Sequence, residues 1–278
     1  MQAGTLSPVH GRTRPPSYGL VMLIGAHVDN ADPAAAARDR GAEVLQFFLG
    51  DPQSWKAPTV TAVDTGGVPF FVHSPYVVNV ASTNNKIRIP SRKILDQHAQ
   101  AAAAFGAQGL IVHGGHVAKG DDPQVGIDNW VKTFERMELP LPVLIENTAG
   151  GEFAMARRFD ALARLWDAIG HHDNLGFCLD TCHAHAGGED LVGVVERVKA
   201  ITGRIDLVHA NDSRDAFDSG ADRHANFGDG QIDVDALVAV VQAAGCPAVV
   251  ETPRDGQAAD ITLLKSRLSR VSRPSGSR

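Results

Sequence analysis

The sequence predicts a (β/α)8 TIM barrel from two features of its apolar residues. Eight short apolar runs recur along the 278 residues, and segments with apolar residues at helical spacing follow several of them. Strands that alternate with helices favour a parallel sheet, and eight such units favour closure into a barrel. A doubly wound open sheet is the alternative, but residues 25–30 after the first run contain no Gly-x-Gly-x-x-Gly turn.

The eight apolar runs are the predicted strands. They span residues 20–24, 43–49, 69–72, 109–112, 142–145, 175–179, 205–208 and 247–250. One helix is expected to begin at a cap on Ser91 and to end at Gly106, because serine caps helices and glycine ends them. Helical spacing predicts further helices over 153–169, 190–202 and 233–244.

Length and composition predict one catalytic domain with short extensions. A chain of 278 residues suits a single barrel, which we expect over residues 20–268. Residues 1–19 are polar and rich in Pro and Gly, so they are predicted to be a disordered leader, with Met22 as an alternative start. The basic segment 269–278 is predicted to be a disordered tail.

Cysteine content, hydropathy and charge indicate the cellular compartment of the protein and the kinds of partner it can bind. Three cysteines, an odd number, argue against a disulfide framework and predict a cytoplasmic protein. No run approaches the ~18 apolar residues of a membrane span, so no membrane partner is expected. The net charge of -6 counts against a broad nucleic-acid surface, unless bound divalent cations supply positive charge where the ligand lies.

Seven of the eight runs lead to a residue that can bind a metal, and the second carries Gln46 instead. In a parallel barrel these residues share the C-terminal mouth, so the sequence predicts a metal site there. The candidate ligands number nine: seven at or just behind these ends, and two in a loop, where a spacing of two sends both side chains to the same side. The seven are His73, His113, Glu146, Asp180, His183, His209 and Glu251, and the two are Asp222 and His224. This set contains nitrogen and oxygen donors without thiolate, which favours zinc or manganese. Two or three such ions would suit hydrolysis of a phosphodiester.

The motifs around these residues resemble those of the endonuclease IV family of apurinic/apyrimidinic (AP) endonucleases. They are V-H-S-P-Y at 72–76, V-H-G-G-H at 112–116, I-E-N-T-A-G at 145–150, L-D-T-C-H-A at 179–184, H-A-N-D-S at 209–213, D-R-H at 222–224 and V-E-T at 250–252. The resemblance covers residues 22–268. Within the family, the sequence most resembles the actinobacterial branch. The resemblance implies a xylose isomerase-like TIM barrel with three zinc ions, or manganese at one or more of the sites.

The resemblance also implies a role for each candidate ligand. The first ion would take His73, His113 and Glu146, the second Glu146, Asp180, His209 and Glu251, and the third His183, Asp222 and His224. Glu146, Asp180 and Glu251 would be catalytic. The four ligand carboxylates carry fewer negative charges than three divalent ions carry positive ones, so the filled site would be positive. The negative net charge of the chain therefore does not exclude DNA binding at this site.

The implied substrate is double-stranded DNA with an abasic site, cut on the 5′ side by a monomeric enzyme. The products would be a 3′-hydroxyl and a 5′-deoxyribose phosphate, and 3′-blocked ends would be a second substrate. Tyr76 corresponds to a residue that the family inserts into DNA, with loop packing as the alternative. Some relatives also insert an Arg where this chain has Gln53, so both residues are DNA-binding candidates. His27, His116, His185 and Cys182 match no ligand position.

Two other functions are compatible with parts of this pattern. Single-metal sugar isomerases and epimerases of the xylose isomerase-like barrels use the four-ligand core of Glu146, Asp180, His209 and Glu251. A DNA-damage scaffold without catalysis would not need a complete ligand set. The five additional ligands, namely His73, His113, His183, Asp222 and His224, favour the nuclease.

Overall fold

The computed structural model describes residues 22–58, 60 and 62–271. The predicted leader at 1–19 lies outside these residues, and so do residues 272–278 of the predicted tail. The last helix continues to Val271, so residues 269–271, where the tail was expected to begin, are helical. Within the described residues, no helix is long and apolar enough to cross a membrane.

Eight parallel strands form a closed barrel, which confirms the predicted fold. They are β1 (Ile24–His27), β2 (Leu45–Phe48), β3 (Phe70–His73), β4 (Leu110–His113), β5 (Val143–Glu146), β6 (Leu175–Asp180), β7 (Leu207–His209) and β10 (Ala248–Val250). The order around the barrel is β1-β10-β7-β6-β5-β4-β3-β2. A two-stranded antiparallel hairpin, β8 (Asp212–Ser213) with β9 (His224–Ala225), stands outside it.

Helices cover the outside of the barrel. They are α1 (Pro33–Arg40), α2 (Asn85–Ala104), α3 (Pro123–Phe134), α4 (Phe159–Ile169), α5 (Thr181–Gly187), α6 (Val194–Thr202), α7 (Val234–Ala244) and α8 (Gln257–Val271), with a 3-10 turn at Arg254–Gly256. Between β2 and β3 the described residues contain no helix, so this connection departs from the strict alternation that was predicted.

Three predicted helix starts are wrong, and one of them is that of α6, which begins at Val194 rather than at 190. Helix α2 begins at Asn85, where the side chain of Asn84 accepts a hydrogen bond from the Lys86 N–H. Ser91 is instead inside the helix, and its hydroxyl donates to the carbonyl of Ile87, four residues earlier. Helix α4 begins at Phe159 rather than 153. Residues 153–158 stay extended or turned because backbone hydrogen bonds hold this segment against the loop after β4.

An apolar plug fills the barrel interior and separates its two ends. Its members are buried and contact one another across the barrel: Val44, Phe71, Ile111, Leu144, Cys178, Leu207 and Val249. Gly25 occupies the same level on β1, where an added Cβ would lie 1.6 Å from the Val44 carbonyl oxygen. Only glycine therefore allows β1 and β2 to approach this closely.

Candidate metal centre

Six of the nine predicted ligands lie directly above the apolar plug. Side chains of a strand alternate between its two faces, so the residue two positions after each plug residue also points into the barrel. Those positions hold Gln46, His73, His113, Glu146, Asp180, His209 and Glu251. The polar residues thus form a ring at the C-terminal mouth, where a (β/α)8 barrel places its chemistry. These residues are far apart in the sequence but converge because each stands two positions after a plug residue on its own strand.

Three clusters of candidate ligand atoms coincide with the three sets inferred from the sequence. They are His73, His113 and Glu146; Glu146, Asp180, His209 and Glu251; and His183, Asp222 and His224. In each cluster the ligand atoms lie within 4.8 Å of one another. All nine predicted ligands are present, and a fourth group joins Asp180 and His224 to Cys182. The inclusion of Cys182 had not been expected.

Glu146 lies at the centre of the site and faces two clusters. Its Oε2 is 3.1 Å from His73 Nε2 and 3.3 Å from His113 Nε2. Its Oε1 is 3.0 Å from His209 Nδ1 and 3.2 Å from His183 Nδ1. The side chain is fully buried, and although burial opposes its charge, His209 and His113 hold the pKa of this carboxyl well below its usual range. The ionised Glu146 carboxylate can therefore bridge two cations, one at each oxygen.

His73 directs the lone pair of its Nε2 at a buried carboxylate. Its Nδ1 lies 2.7 Å from the carbonyl oxygen of Ser74, so Nδ1 carries the hydrogen and donates it. In the neutral ring Nε2 is then an acceptor, yet it faces Glu146 Oε2 at 3.1 Å. Burial lowers the pKa of His73, which favours this neutral form. Two acceptors at this distance need a cation between them.

In the third cluster, His183 also directs Nδ1 at a backbone carbonyl and Nε2 at a carboxylate oxygen. Its Nδ1 is 2.9 Å from the carbonyl oxygen of Asn147, so the hydrogen belongs on Nδ1. Its Nε2 is 3.1 Å from Asp222 Oδ1, and His224 Nε2 is 3.2 Å from the same oxygen. Neither Nε2 has a hydrogen-bond partner within the described part of the chain, although both atoms are buried. Unsatisfied buried nitrogens around one carboxylate oxygen are expected where a metal ion binds.

Gln46 orients the second cluster. Its Oε1 accepts a hydrogen bond from His209 Nε2 at 2.7 Å, and its Nε2 donates to Glu251 Oε1 at 2.6 Å. His209 Nδ1 is thereby left to face Glu146 Oε1 at 3.0 Å and Glu251 Oε2 at 3.2 Å. Gln46 was assigned no role from the sequence because glutamine is not a usual ligand. Its position two residues after Val44 of the plug is the signal that could have placed it in the ring.

Protonation of the histidines depends on the carboxylates that face them. Burial opposes a charge on His209, but Glu251 and Glu146 outweigh it and raise the pKa of His209 to about 9. Burial likewise opposes charge on His183, and Asp180 and Asp222 raise its pKa well above the ordinary value. Without metal, protons therefore neutralise part of the carboxylate charge at this mouth. A divalent cation would replace them.

Two buried asparagines hold the ligand carboxylates in place, and neither was singled out from the sequence. Asn211 donates from Nδ2 to Asp180 Oδ2 at 2.7 Å and accepts from the Glu251 N–H at 2.7 Å. Asn147 accepts from the Asp180 N–H at 2.8 Å and donates to the Asp180 carbonyl oxygen at 2.9 Å. Each asparagine follows a ligand by one or two residues, in E-N and H-x-N, which is the signal for its role.

The β8–β9 hairpin carries two candidate ligands to the site, Asp222 in its loop and His224 as the first residue of β9. Asp212 anchors its base, because this buried carboxylate accepts from the N–H groups of Gly228, Gly230 and Ile232 at 2.9–3.1 Å. Asp218, with φ of 61°, accepts from Arg157 and Arg158 and holds the loop tip on the loop after β5. The third cluster therefore depends on a loop, whereas the first two are built on strand ends.

Tyr76 stands over the first cluster and is 55% exposed. Its ring is stacked at 6.0 Å on His113 and meets Phe48 edge-on at 5.1 Å. The Tyr76 N–H donates to the carbonyl oxygen of Pro52 at 2.8 Å, which holds it beside the loop that carries the exposed Gln53. The structure thus brings the two DNA-binding candidates together at the mouth.

A groove of about 400 Å³ opens beside the second cluster. Its lining includes His27, Tyr76, His224, Glu251 and Arg254. His27, two residues after Gly25 on β1, is in no ligand cluster of the described residues, and its Nδ1 lies 2.9 Å from Gln46 Nε2 and 3.3 Å from Glu251 Oε1. His116 and His185 lie outside the clusters of the described residues, as expected, and contact Asn79 and the Asp215 carbonyl oxygen instead.

Comparison with known proteins agrees with this arrangement. The family model of the xylose isomerase-like TIM barrel matches residues 34–269. The protein named "Probable endonuclease 4" from Mycobacterium ulcerans (strain Agy99) is 57% identical over 252 residues, which is 89% of this chain and 100% of the relative. Its namesake from Mycobacterium tuberculosis (strain ATCC 25177 / H37Ra) is 57% identical over 250 residues, covering 88% and 99%.

Solved structures show the same fold. The crystal structure of endonuclease IV from Thermus thermophilus has a TM-score of 0.76 and 27% identity, and the match covers 89% of this chain and 99% of that one. A D-tagatose 3-epimerase-like protein has a TM-score of 0.74 at 16% identity, covering 90% and 98%, which is a likeness of fold alone. Together with the motifs and the clusters, the two mycobacterial relatives show that this chain belongs to the endonuclease IV family of AP endonucleases.

Proposed function

We propose that this metal-dependent nuclease hydrolyses the phosphodiester on the 5′ side of an abasic site in double-stranded DNA, leaving a 3′-hydroxyl and a 5′-deoxyribose phosphate. The observation that carries the proposal is the set of buried histidine nitrogens that face carboxylates across 3.0–3.3 Å. Such pairs are suited to hold several cations close together, as hydrolysis of a phosphodiester requires.

The donor set fits three divalent ions. Zinc accepts histidine nitrogens and carboxylate oxygens in this combination, and manganese is the alternative at one or more positions. We assign His73, His113 and Glu146 to the first ion and Glu146, Asp180, His209 and Glu251 to the second. His183, Asp222 and His224 would hold the third. When bound, these ions would polarise the phosphodiester, lower the pKa of a water molecule and stabilise the leaving oxygen.

The chain itself supplies position and charge balance. Glu146, Asp180 and Glu251 are the catalytic carboxylates of the proposal, because all three belong to the cluster that would hold the second ion. Gln46 and Asn211 fix Glu251 and Asp180 by hydrogen bonds, so these carboxylates need little rearrangement when substrate arrives.

The exposed residues at the mouth would engage the lesion. An abasic nucleotide lacks stacking, so moving it out of the duplex costs less than at an intact pair. We expect Tyr76 to fill the gap, because its ring is exposed and it lies next to the loop that carries Gln53. We propose that the same clusters also remove 3′-blocking groups, since the bond that is cut is again a phosphoester.

Cleavage of a defined duplex tests the proposal. Duplex DNA with one abasic site is incubated with the metal-loaded enzyme, and the new ends are identified by mass. We expect a 3′-hydroxyl on one fragment and a 5′-deoxyribose phosphate on the other, with no cleavage of the intact duplex and loss of activity in Glu146→Gln. Failure to cut the abasic strand, together with epimerisation of a ketose by the same preparation, would support the sugar epimerase instead.

A further inference from the structure

We propose that Cys182 gives the barrel mouth an additional metal position with a sulfur donor, which a soft divalent cation such as cadmium would occupy. A ligand atom of Cys182 lies within 4.8 Å of one from Asp180 and one from His224. None of the three proposed ion positions uses sulfur, so this position goes beyond the proposed function. It would make the enzyme sensitive to a class of ions that the nitrogen and oxygen clusters do not select.

The start of helix α5 fixes Cys182 at this position. Asp180 caps the helix, since its Oδ1 accepts from the His183 N–H at 2.7 Å. Cys182 lies between these two residues and is fully buried. One turn of chain therefore presents the Asp180 carboxylate, the Cys182 sulfur and the His183 ring to the same region. The cysteine needs no backbone movement to reach that region.

The unsatisfied nitrogen of His224 faces this position as well as the third cluster. His224 Nε2 is buried without a hydrogen-bond partner among the described residues, and it lies 3.8 Å from Asp180 Oδ2. The other ring nitrogen, Nδ1, is 3.3 Å from the Glu251 carbonyl oxygen, which leaves Nε2 as the metal-facing atom. The same Nε2 is 3.2 Å from Asp222 Oδ1 in the third cluster.

His224 is therefore shared between two donor sets of different chemistry. With His183 and Asp222 it offers nitrogen and oxygen, whereas with Cys182 and Asp180 it offers sulfur as well. A soft ion forms its stronger bonds with sulfur, so it would take His224 away from the third cluster. As the bond between Sγ and the ion forms, the thiol proton leaves to solvent, and no electron is transferred.

The two other cysteines provide matched controls. Cys178 belongs to the apolar plug, where it contacts residues such as Ile111 and Leu144. Cys246 borders a cavity with Lys199 and Pro247, in the loop before β10. Both are free and buried like Cys182, but neither belongs to a ligand cluster of the described residues. Any cadmium–thiolate signal from the native protein should therefore come from Cys182.

The test is a titration of the metal-free full-length protein with cadmium chloride, without DNA. We expect a thiolate-to-cadmium absorption band that saturates at one cadmium–thiolate bond per chain in the wild type, Cys178→Ser and Cys246→Ser. The band should vanish in Cys182→Ser and in Cys182→Ala, which is the second variant if serine disturbs folding. The ¹¹³Cd NMR spectrum of the unsubstituted protein should contain one thiolate-shifted resonance, which requires no variant.

A wild-type protein without the band or the thiolate-shifted resonance would overturn the proposal. Persistence of the band in folded Cys182→Ser would overturn it as well. Cleavage of abasic DNA by the zinc-loaded enzyme is measured separately and does not enter this test. Failure of the sulfur position and failure of the nuclease proposal are therefore distinguishable.

Discussion

Leu144 and Glu146 lie two residues apart on β5 and point into the barrel one above the other, Leu144 in the apolar plug and Glu146 among the candidate ligands. The plug closes the interior below the site, so a cation at Glu146 can be reached only from the C-terminal mouth. The low-polarity floor also strengthens the attraction between the carboxylates and a bound cation. The apolar plug and the candidate ligands are thus two adjacent layers of side chains on the same strands.

Glu146 and Glu251 should both be needed for activity, for different reasons. Glu146→Gln removes charge from an oxygen pair shared by two clusters, and Glu251→Gln weakens the second cluster alone. We expect each to lower kcat on abasic DNA by more than about 100-fold, the upper end of the effect of residues that support a metal site. His185→Ala, which alters a residue outside the clusters, should stay within a few-fold of the wild type. An equal loss in His185→Ala would show that the ligand assignment around the D-T-C-H turn is wrong.

Gln46 should control affinity for the second ion. Replacing it with Met keeps the volume but removes the hydrogen bonds to His209 and Glu251. Metal affinity at this position should fall by about 10–100-fold, as for other residues that orient a ligand. The measurement is competition between the protein and a chelator of known affinity. Gln108→Met, at the opposite end of the barrel, is the control, and an equal fall there would contradict the role given to Gln46.

Tyr76 should contribute more to the binding of an abasic duplex than to the binding of a 3′-blocked nick. Tyr76→Ala should weaken binding to abasic DNA by about 1–3 kcal/mol, the scale of one base–aromatic stack. Binding to a 3′-blocked nick should change much less, because that end can open without a wedge. Both affinities are measured with metal-loaded Glu251→Gln, which cuts slowly. Equal losses on the two substrates would mean that Tyr76 only supports the loop around Pro52.

Removal of metal should make stability depend on pH. In the metal-free protein Glu251 and Glu146 raise the pKa of His209 from 6.5 to about 9, and the carboxylates around His183 act in the same direction. A raised folded-state pKa contributes stability that is complete below pH 6.5 and is lost as pH rises toward 9. The Tm of the metal-free protein should therefore fall across this range. The zinc-loaded protein should lack this fall, and a parallel decline in both forms would contradict the account.

The sequence predicted the barrel and the nine residues of the three clusters, because seven of them end or follow an apolar strand within a motif and the other two, Asp222 and His224, form the D-R-H motif. Gln46, Asn147 and Asn211 were not assigned roles, since a supporting amide resembles any polar residue until its partners are known. The start of α2 was misplaced because Ser91 has the chemistry of a cap, whereas Asn84 forms it. The start of α4 was misplaced because contacts with the loop after β4 override the helical spacing of 153–158.

Metal content per chain tests the central claim most directly. The purified protein is loaded with zinc, separated from free ions and analysed for metal and protein together. Three clusters of donors predict close to three zinc ions per chain, and Asp222→Asn should lower the content to about two. Close to one ion per chain in the wild type, unchanged in Asp222→Asn, would contradict the three-metal nuclease and indicate a single-metal isomerase site.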